Sequence, residues 1–196
     1  EALLNRETTR IGVGGAAGPG KSRWGREALY WFARNVPGLH ALLLRKTHKD
    51  LDQSHLRFMP HEIAQRGGEW KVSDRMAVIK HKGEADSLIR AGHMETDGDV
   101  EKYLSSEYDI IYKDEVVTFP RDPVLELLTR CRTTNPFMFA LRGLDDPDPE
   151  QRLDGSFGMA STNPGGRGAL WFRDFYIEHS VDREEFPKYN PDRWLF

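Results

Sequence analysis

Apolar side chains recur along this chain in two distinct periods. Residues 11–14 form a short apolar run closing in glycine, and residues 21–35 carry Trp24, Ala28, Leu29, Trp31 and Phe32 at helical spacing. The pattern predicts strand, glycine-rich turn, helix. Pro37-Gly38 ends that helix, and residues 40–44 give a continuous apolar run of the kind found in a strand covered on both faces. Residues 50–65 read as an amphipathic helix interrupted at Pro60 and closed by Gly67-Gly68. Residues 70–72, 76–80 and 87–91 read as edge strands or a hairpin with Lys82-Gly83 in its turn. Further along come a short helix at 99–105, a buried strand at 108–112 and a helix at 123–132 with proline in its first turn. A strand at 157–160 and an aromatic-rich helix at 169–177 complete the series. Such alternation predicts an α/β fold, a mostly parallel central sheet flanked by helices on both faces, with ligands bound at the carboxyl ends of the strands.

Composition narrows the class. A chain of 196 residues, 38% hydrophobic, supports one domain with a full core. The 28 Lys and Arg against 31 Asp and Glu leave a net charge of -3, so contact with nucleic acid needs a local basic patch or a partner. A single cysteine, Cys131, excludes an internal disulfide framework and suits a reducing compartment. No run approaches the roughly 20 apolar residues of a membrane span, so no membrane is expected. The polar start without Met reads as a cut into a longer chain. Residues 144–154 read as a solvated acidic loop and the stretch from 182 as a polar linker. Seven histidines, among them His48, His55 and His61, lack a metal-ligand pattern and read as surface or amphipathic-face residues.

Two motifs carry chemistry. Gly15-Ala16-Ala17-Gly18-Pro19-Gly20-Lys21-Ser22 fits G-x-x-x-x-G-K-[ST] between a predicted strand and a predicted helix, the context a phosphate loop requires. Glycines there let main-chain N–H groups aim at a phosphate, the helix start adds its positive end, Lys21 bridges the outer phosphates and Ser22 supplies a Mg²⁺ ligand. Cofactors ATP and Mg²⁺ follow. The second motif, the apolar run 109–112 ending in Lys113-Asp114-Glu115, delivers two adjacent acids at a strand end. Asp114 suits the metal and Glu115 the base that activates water, because successive residues leaving a strand point to opposite sides. Lys113 stands where such strands are usually apolar, and is expected to face the sheet edge or pair with an acid. Ser161, Thr162 and Asn163 follow a third strand and read either as a sensor of the outer phosphate or as turn chemistry.

In order along the chain, the phosphate loop at 14–22, Leu42-Leu43-Leu44-Arg45-Lys46-Thr47, the segment 94–103, the segment 108–119 with its Asp-Glu, Thr129-Arg130-Cys131-Arg132 and the block 161–171 resemble one known family. That family is the ATPase domain of the large terminase subunit, the motor that packages DNA into tailed-phage capsids. The resemblance spans about residues 11–177 and implies a P-loop NTPase fold, RecA-like, of the additional-strand catalytic-glutamate type. It implies catalysis by Glu115 and Lys21, nucleotide binding by residues 15–22, metal binding by Ser22 and Asp114, and coupling of hydrolysis to movement by Ser161, Thr162 and Asn163. Implied partners are double-stranded DNA through its phosphates, a portal protein, a small terminase subunit and further copies of the chain in a ring. The implied setting is host cytoplasm, docked transiently on a procapsid. Residues 1–180 would form the motor and 181–196 begin a linker towards a nuclease domain, so nuclease activity is not expected of these residues. Departures are Ala16 and Ala17 where many relatives carry a basic residue, Lys113, and a longer connection at 136–157. Lys102, Arg45, Arg130 and Arg132 are candidates for a cation acting on a neighbouring subunit, though each reads first as a solvated or structural charge. Trp171, Phe172, Phe175 and Tyr176 read as core packing. Rival readings are a helicase-like ATPase, which needs a second motor lobe, and a nucleotide-binding module with little turnover.

Overall fold

The computed structural model describes residues 8–16, 18, 20–144, 155–163, 165–166 and 168–177, together with the backbone of 194–195. The expected acidic loop therefore lies outside the described residues, apart from Leu144 at its start, as do Ala17 and Pro19 of the phosphate loop.

Strand β1 (Arg10–Val13) leads through the glycine loop into α1 (Lys21–Asn35), and β2 (His40–Arg45) follows. Helix α2 (His48–Leu51) widens into a π turn (Asp52–Leu56) before α3 (Met59–Ala64). Next come β3 (Glu69–Lys71), β4 (Met76–Ile79), β5 (Ser87–His93) and α4 (Glu101–Leu104) behind a 3-10 turn (Asp97–Val100). Strand β6 (Ile110–Lys113) is followed by α5 (Arg121–Leu128), α6 (Pro136–Leu141), β7 (Phe157–Ser161) and α7 (Ala169–Phe172), which runs into a second π turn (Arg173–Ile177). The backbone of β8 (Trp194–Leu195), in the stretch read as a linker, pairs beside β1.

Among the described residues these strands form one eight-stranded sheet in the order β3-β4-β5-β2-β6-β7-β1-β8. Pairing is parallel except at β3-β4 and β4-β5, as the sequence pattern leads one to expect. Strand β5 is not an edge strand: it runs parallel to β2 inside the sheet while closing a hairpin with β4, with Lys82-Gly83 in the turn. Pro60 does not interrupt the second helical stretch but opens α3, where its missing N–H has no helical partner to lose. The break falls just before it, at Arg57 and Phe58.

The pleat divides the apolar residues into two layers. Leu29, Phe32, Leu43, Tyr112 and Met159 pack with α1 on one face; Leu42, Leu44, Ile111 and Ala160 pack with Leu127, Phe172 and Tyr176 on the other. Phe172, Phe175 and Tyr176 are core residues as expected, and Trp171 packs against them from its edge. No helix among the described residues is long and apolar enough to cross a membrane.

Candidate functional site

Four adjacent strands, β2, β6, β7 and β1, end side by side, and each delivers a polar group. Register fixes the row: Leu44 pairs with Lys113, Lys113 with Ala160, and Val13 with Ser161. The residues one step beyond, Arg45 and Asp114, thereby line up with Ser161.

The loop after β1 crosses this row. Gly15, Gly18 and Gly20 all hold positive φ, at 138°, 92° and 81°, where a side chain is strained, and the space beside each is open. Helix α1 begins behind Gly20 with no side-chain cap and no acid in its first turn, so its leading N–H groups and positive end are left for an anion. Lys21 Nζ donates to the carbonyls of Gly15 at 2.9 Å and Ala16 at 2.6 Å, folded back over the loop that it would share with a phosphate. One turn on, Gly25 lets α1 close on β6: a Cβ there would stand 2.1 Å from the Tyr112 ring.

Asp114 is the hub. Ser22 Oγ donates to its Oδ2 at 2.8 Å, and His55 Nε2 lies 2.9 Å from the same oxygen. Its Oδ1 takes the Ser161 hydroxyl and stands 3.0 Å from the Tyr112 hydroxyl. Arg45 Nη1 comes within 3.5 Å of Oδ2. Burial pushes the Asp114 carboxyl up, but the hydrogen bond of His55, then the Arg45 charge and the Ser161 hydroxyl, outweigh it and hold the group well below the usual carboxylate range. The Asp114 anion is thus preserved in a buried place. Burial drives His55 down, against the opposing pull of Asp114, and raises Tyr112 well above its ordinary value.

Glu115 leaves the strand in the left-handed region, φ 53° and ψ 54°, a conformation uncommon for a residue with a side chain and found where a site demands it. Asn163 Nδ2 donates to Oε1 at 3.0 Å and Arg45 Nη1 reaches Oε2 at 3.0 Å, so both oxygens are held from different strand ends. Thr162 donates its backbone N–H to Val13 and its hydroxyl to the Asn163 carbonyl.

The described residues singled out from sequence are therefore brought together, from the loop through Asp114 and Glu115 to Ser161, Thr162 and Asn163. One reading needs correction and two are narrowed. Lys113 neither faces an edge nor pairs with an acid: it is fully buried on the face away from α1, and its Nζ has no hydrogen-bond partner among the described residues. His55, read as a surface or amphipathic-face residue, is the latter, fully buried against Asp114. The signal was there: Leu51, His55, Met59 and Ile63 recur every four residues along one buried stripe. Arg45, read first as a solvated or structural charge, is the structural one: it joins the two acids within the chain, its side chain 11% exposed. Lys102 pairs with Asp99, and Arg132 lies 3.9 Å from Glu107.

Whether Mg²⁺ suits these residues is a question of donor chemistry. Among the described residues no group of three or more His, Cys, Asp or Glu side chains could hold a metal unaided. The Ser22 hydroxyl beside an ionised Asp114, next to an anion cradle, instead suits a hard cation that takes its other ligands from phosphate and water.

No family model matches the sequence and no curated protein matches it. Solved structures do. The large terminase of a thermophilic bacteriophage superposes with a TM-score of 0.66 at 14% identity, over 97% of this chain and 40% of its own. The same protein in complex with ATP-γ-S gives 0.61 at 14% identity, over 97% of this chain and 39% of its own. The large terminase ATPase domain of Thermus phage P74-26 gives 0.54 at 15% identity, over 95% and 74%. The chain spans about 40% of the first of these proteins. It has the fold of the ATPase domain of phage large terminases.

Proposed function

We propose that the chain is the ATP-hydrolysing motor domain of a viral large terminase subunit, which drives double-stranded DNA into a procapsid. One observation carries the reading: beneath a loop of positive-φ glycines, the Ser22 hydroxyl donates to Asp114 at 2.8 Å, while Glu115 is held by Asn163 and by the Arg45 that it shares with Asp114. The likeness to a terminase solved with ADP and with ATP-γ-S supports it.

In this reading residues 15–20, Pro19 excepted, offer main-chain N–H groups to the phosphates, with Lys21 exchanging the carbonyls of Gly15 and Ala16 for phosphate oxygens. Ser22 and Asp114 would hold Mg²⁺, which when bound offsets charge on the outer phosphates. Glu115, oriented by Asn163 and Arg45, accepts a proton from the attacking water. Asn163 ties that carboxylate to the end of β7, so Ser161, Thr162 and Asn163 are the route by which hydrolysis reaches the rest of the fold.

Contact with DNA is to phosphates, in a ring of copies, with portal protein and small terminase subunit as partners, on a procapsid in the host cytoplasm. ATP hydrolysis by the chain, followed by phosphate release with and without double-stranded DNA and at rising protein concentration, tests the reading. Turnover is expected to be slow alone and to rise with both. Hydrolysis no greater than in a Glu115→Ala sample under every condition overturns it.

A further inference from the structure

His55 belongs to no part of the reading above, yet it is fully buried and touches the acid on which that reading turns. We propose that His55 is a positioning residue: a neutral imidazole, its tautomer dictated by Arg26, that holds Asp114 against Ser22 without cancelling the negative charge a divalent cation needs. The proposal rests on the nucleotide-binding reading of the site.

The tautomer follows from which neighbours can donate. Arg26 Nη1 lies 3.4 Å from His55 Nδ1, and a guanidinium has donors only, so Nδ1 must present its lone pair. Asp114 Oδ2 lies 2.9 Å from Nε2 and can only accept, so the ring proton sits on Nε2. A second ring proton would confront the guanidinium N–H. The ring is held neutral by its surroundings.

Arg26 is itself immobilised. Its Nε and Nη2 donate to the two oxygens of Glu62 at 2.8 and 3.0 Å, and Nη1 also donates to the Ser54 carbonyl at 2.9 Å. Tyr30 Oη donates to Glu62 at 2.9 Å. A buried polar chain thus runs from α3 through α1 to the π turn and ends on Asp114. His55 is the fourth residue of the π turn, a distortion common at functional sites.

A neutral donor suits this place for two reasons. A cation in its stead would offset the Asp114 charge and weaken the attraction for a metal. Loss of the donor would leave Oδ2 with Ser22 and the more distant Arg45 at 3.5 Å, inviting the carboxylate to swing to Arg45 and draw it from Glu115. His55 therefore keeps Arg45 nearer to Glu115, at 3.0 Å, than to Asp114, at 3.5 Å.

The test measures the affinity of a fluorescent ATP analogue in Mg²⁺ and in EDTA for wild type, His55→Leu and His55→Gln. The ratio of the two affinities is the gain due to Mg²⁺. His55→Leu should lose on the order of 10- to 100-fold of that gain with its EDTA affinity intact, the usual effect of removing a partner that orients a metal ligand. His55→Gln, which keeps a neutral N–H donor, should restore most of it. A merely structural role would lower the melting temperature of both variants and leave the ratio unchanged. In parallel, ¹⁵N spectra of histidine-labelled apo protein should give the His55 ring, assigned by its loss in His55→Gln, as the neutral Nε2–H form. An Nδ1–H or doubly protonated ring overturns the proposal even if His55→Leu does not fold. An unaltered Mg²⁺ gain in folded His55→Leu overturns the proposal alone, whereas wild type that binds no nucleotide in either buffer overturns the nucleotide reading and this with it.

Discussion

Lys113 and Asp114 are neighbours at the end of β6, equally buried and oppositely provided for. Asp114 collects Ser22, His55, Tyr112, Ser161 and Arg45 around two oxygens, and its charged form is favoured. Lys113 points to the other face, among Leu44, Ala160 and Cys131, with no hydrogen-bond partner for its amine. Burial pushes that amine down to about 7, and the nearby Arg10 charge adds to the push, only partly opposed by Cys131. The contrast teaches that burial alone does not decide the state of a charge: the groups within reach do. Here one pleat separates a supplied charge from an orphaned one, so the α1 face carries the proposed chemistry and the opposite face carries a stability penalty.

Substitutions on the two faces should therefore fail in different ways. The largest effect is expected from Glu115→Ala, with turnover falling on the order of 10²- to 10⁴-fold at matched nucleotide occupancy while the melting temperature moves little. On the other face, Lys113→Met should leave turnover alone and raise unfolding free energy at pH 7 by on the order of 2–4 kcal/mol. Its pH dependence fixes the sign. Between about 7 and the ordinary 10.5 the unfolded chain holds a proton on Lys113 that the folded chain lacks, so wild-type stability rises with pH across that window. Denaturant titrations at pH 7 and pH 9 should show this rise in wild type and its loss in Lys113→Met; a drop in turnover in that variant would break the separation of the faces.

Gly25→Ala comes next, costing about 1–3 kcal/mol by overpacking against Tyr112, whose hydroxyl is anchored near Asp114 and Ser161 and gives the ring little freedom to retreat. Thermal unfolding measures it. The smallest effect is expected of Asn163→Ala, which removes one of the two holds on Glu115: turnover should fall on the order of tenfold, the equivalent of one hydrogen bond, with Mg²⁺-nucleotide affinity unchanged.

Much of the site was legible in the chain because its geometry is local. The glycines of the loop encode a backbone shape within a few residues, and the adjacent acids follow a short β-branched and aromatic run of strand character. The parts that escaped are those whose meaning depends on a distant partner. Arg45 is one polar residue after an apolar strand until β6 is laid beside β2. His55 sits on an amphipathic stripe like any core-facing residue until the turn carries it to Asp114.

The sequence by itself determined the alternation of strands and helices, the phosphate-loop shape and the presence of an Asp-Glu pair at a strand end, because periodicity, glycine content and proline positions act over a few residues. Only the tertiary structure decided that β6 lies between β2 and β7, that Arg45 divides its attention between two acids, and that Lys113 meets no partner among the described residues while Asp114 meets five. The reason is that strand order and register bring together residues far apart in the chain, and a buried charge answers to whatever those neighbours provide.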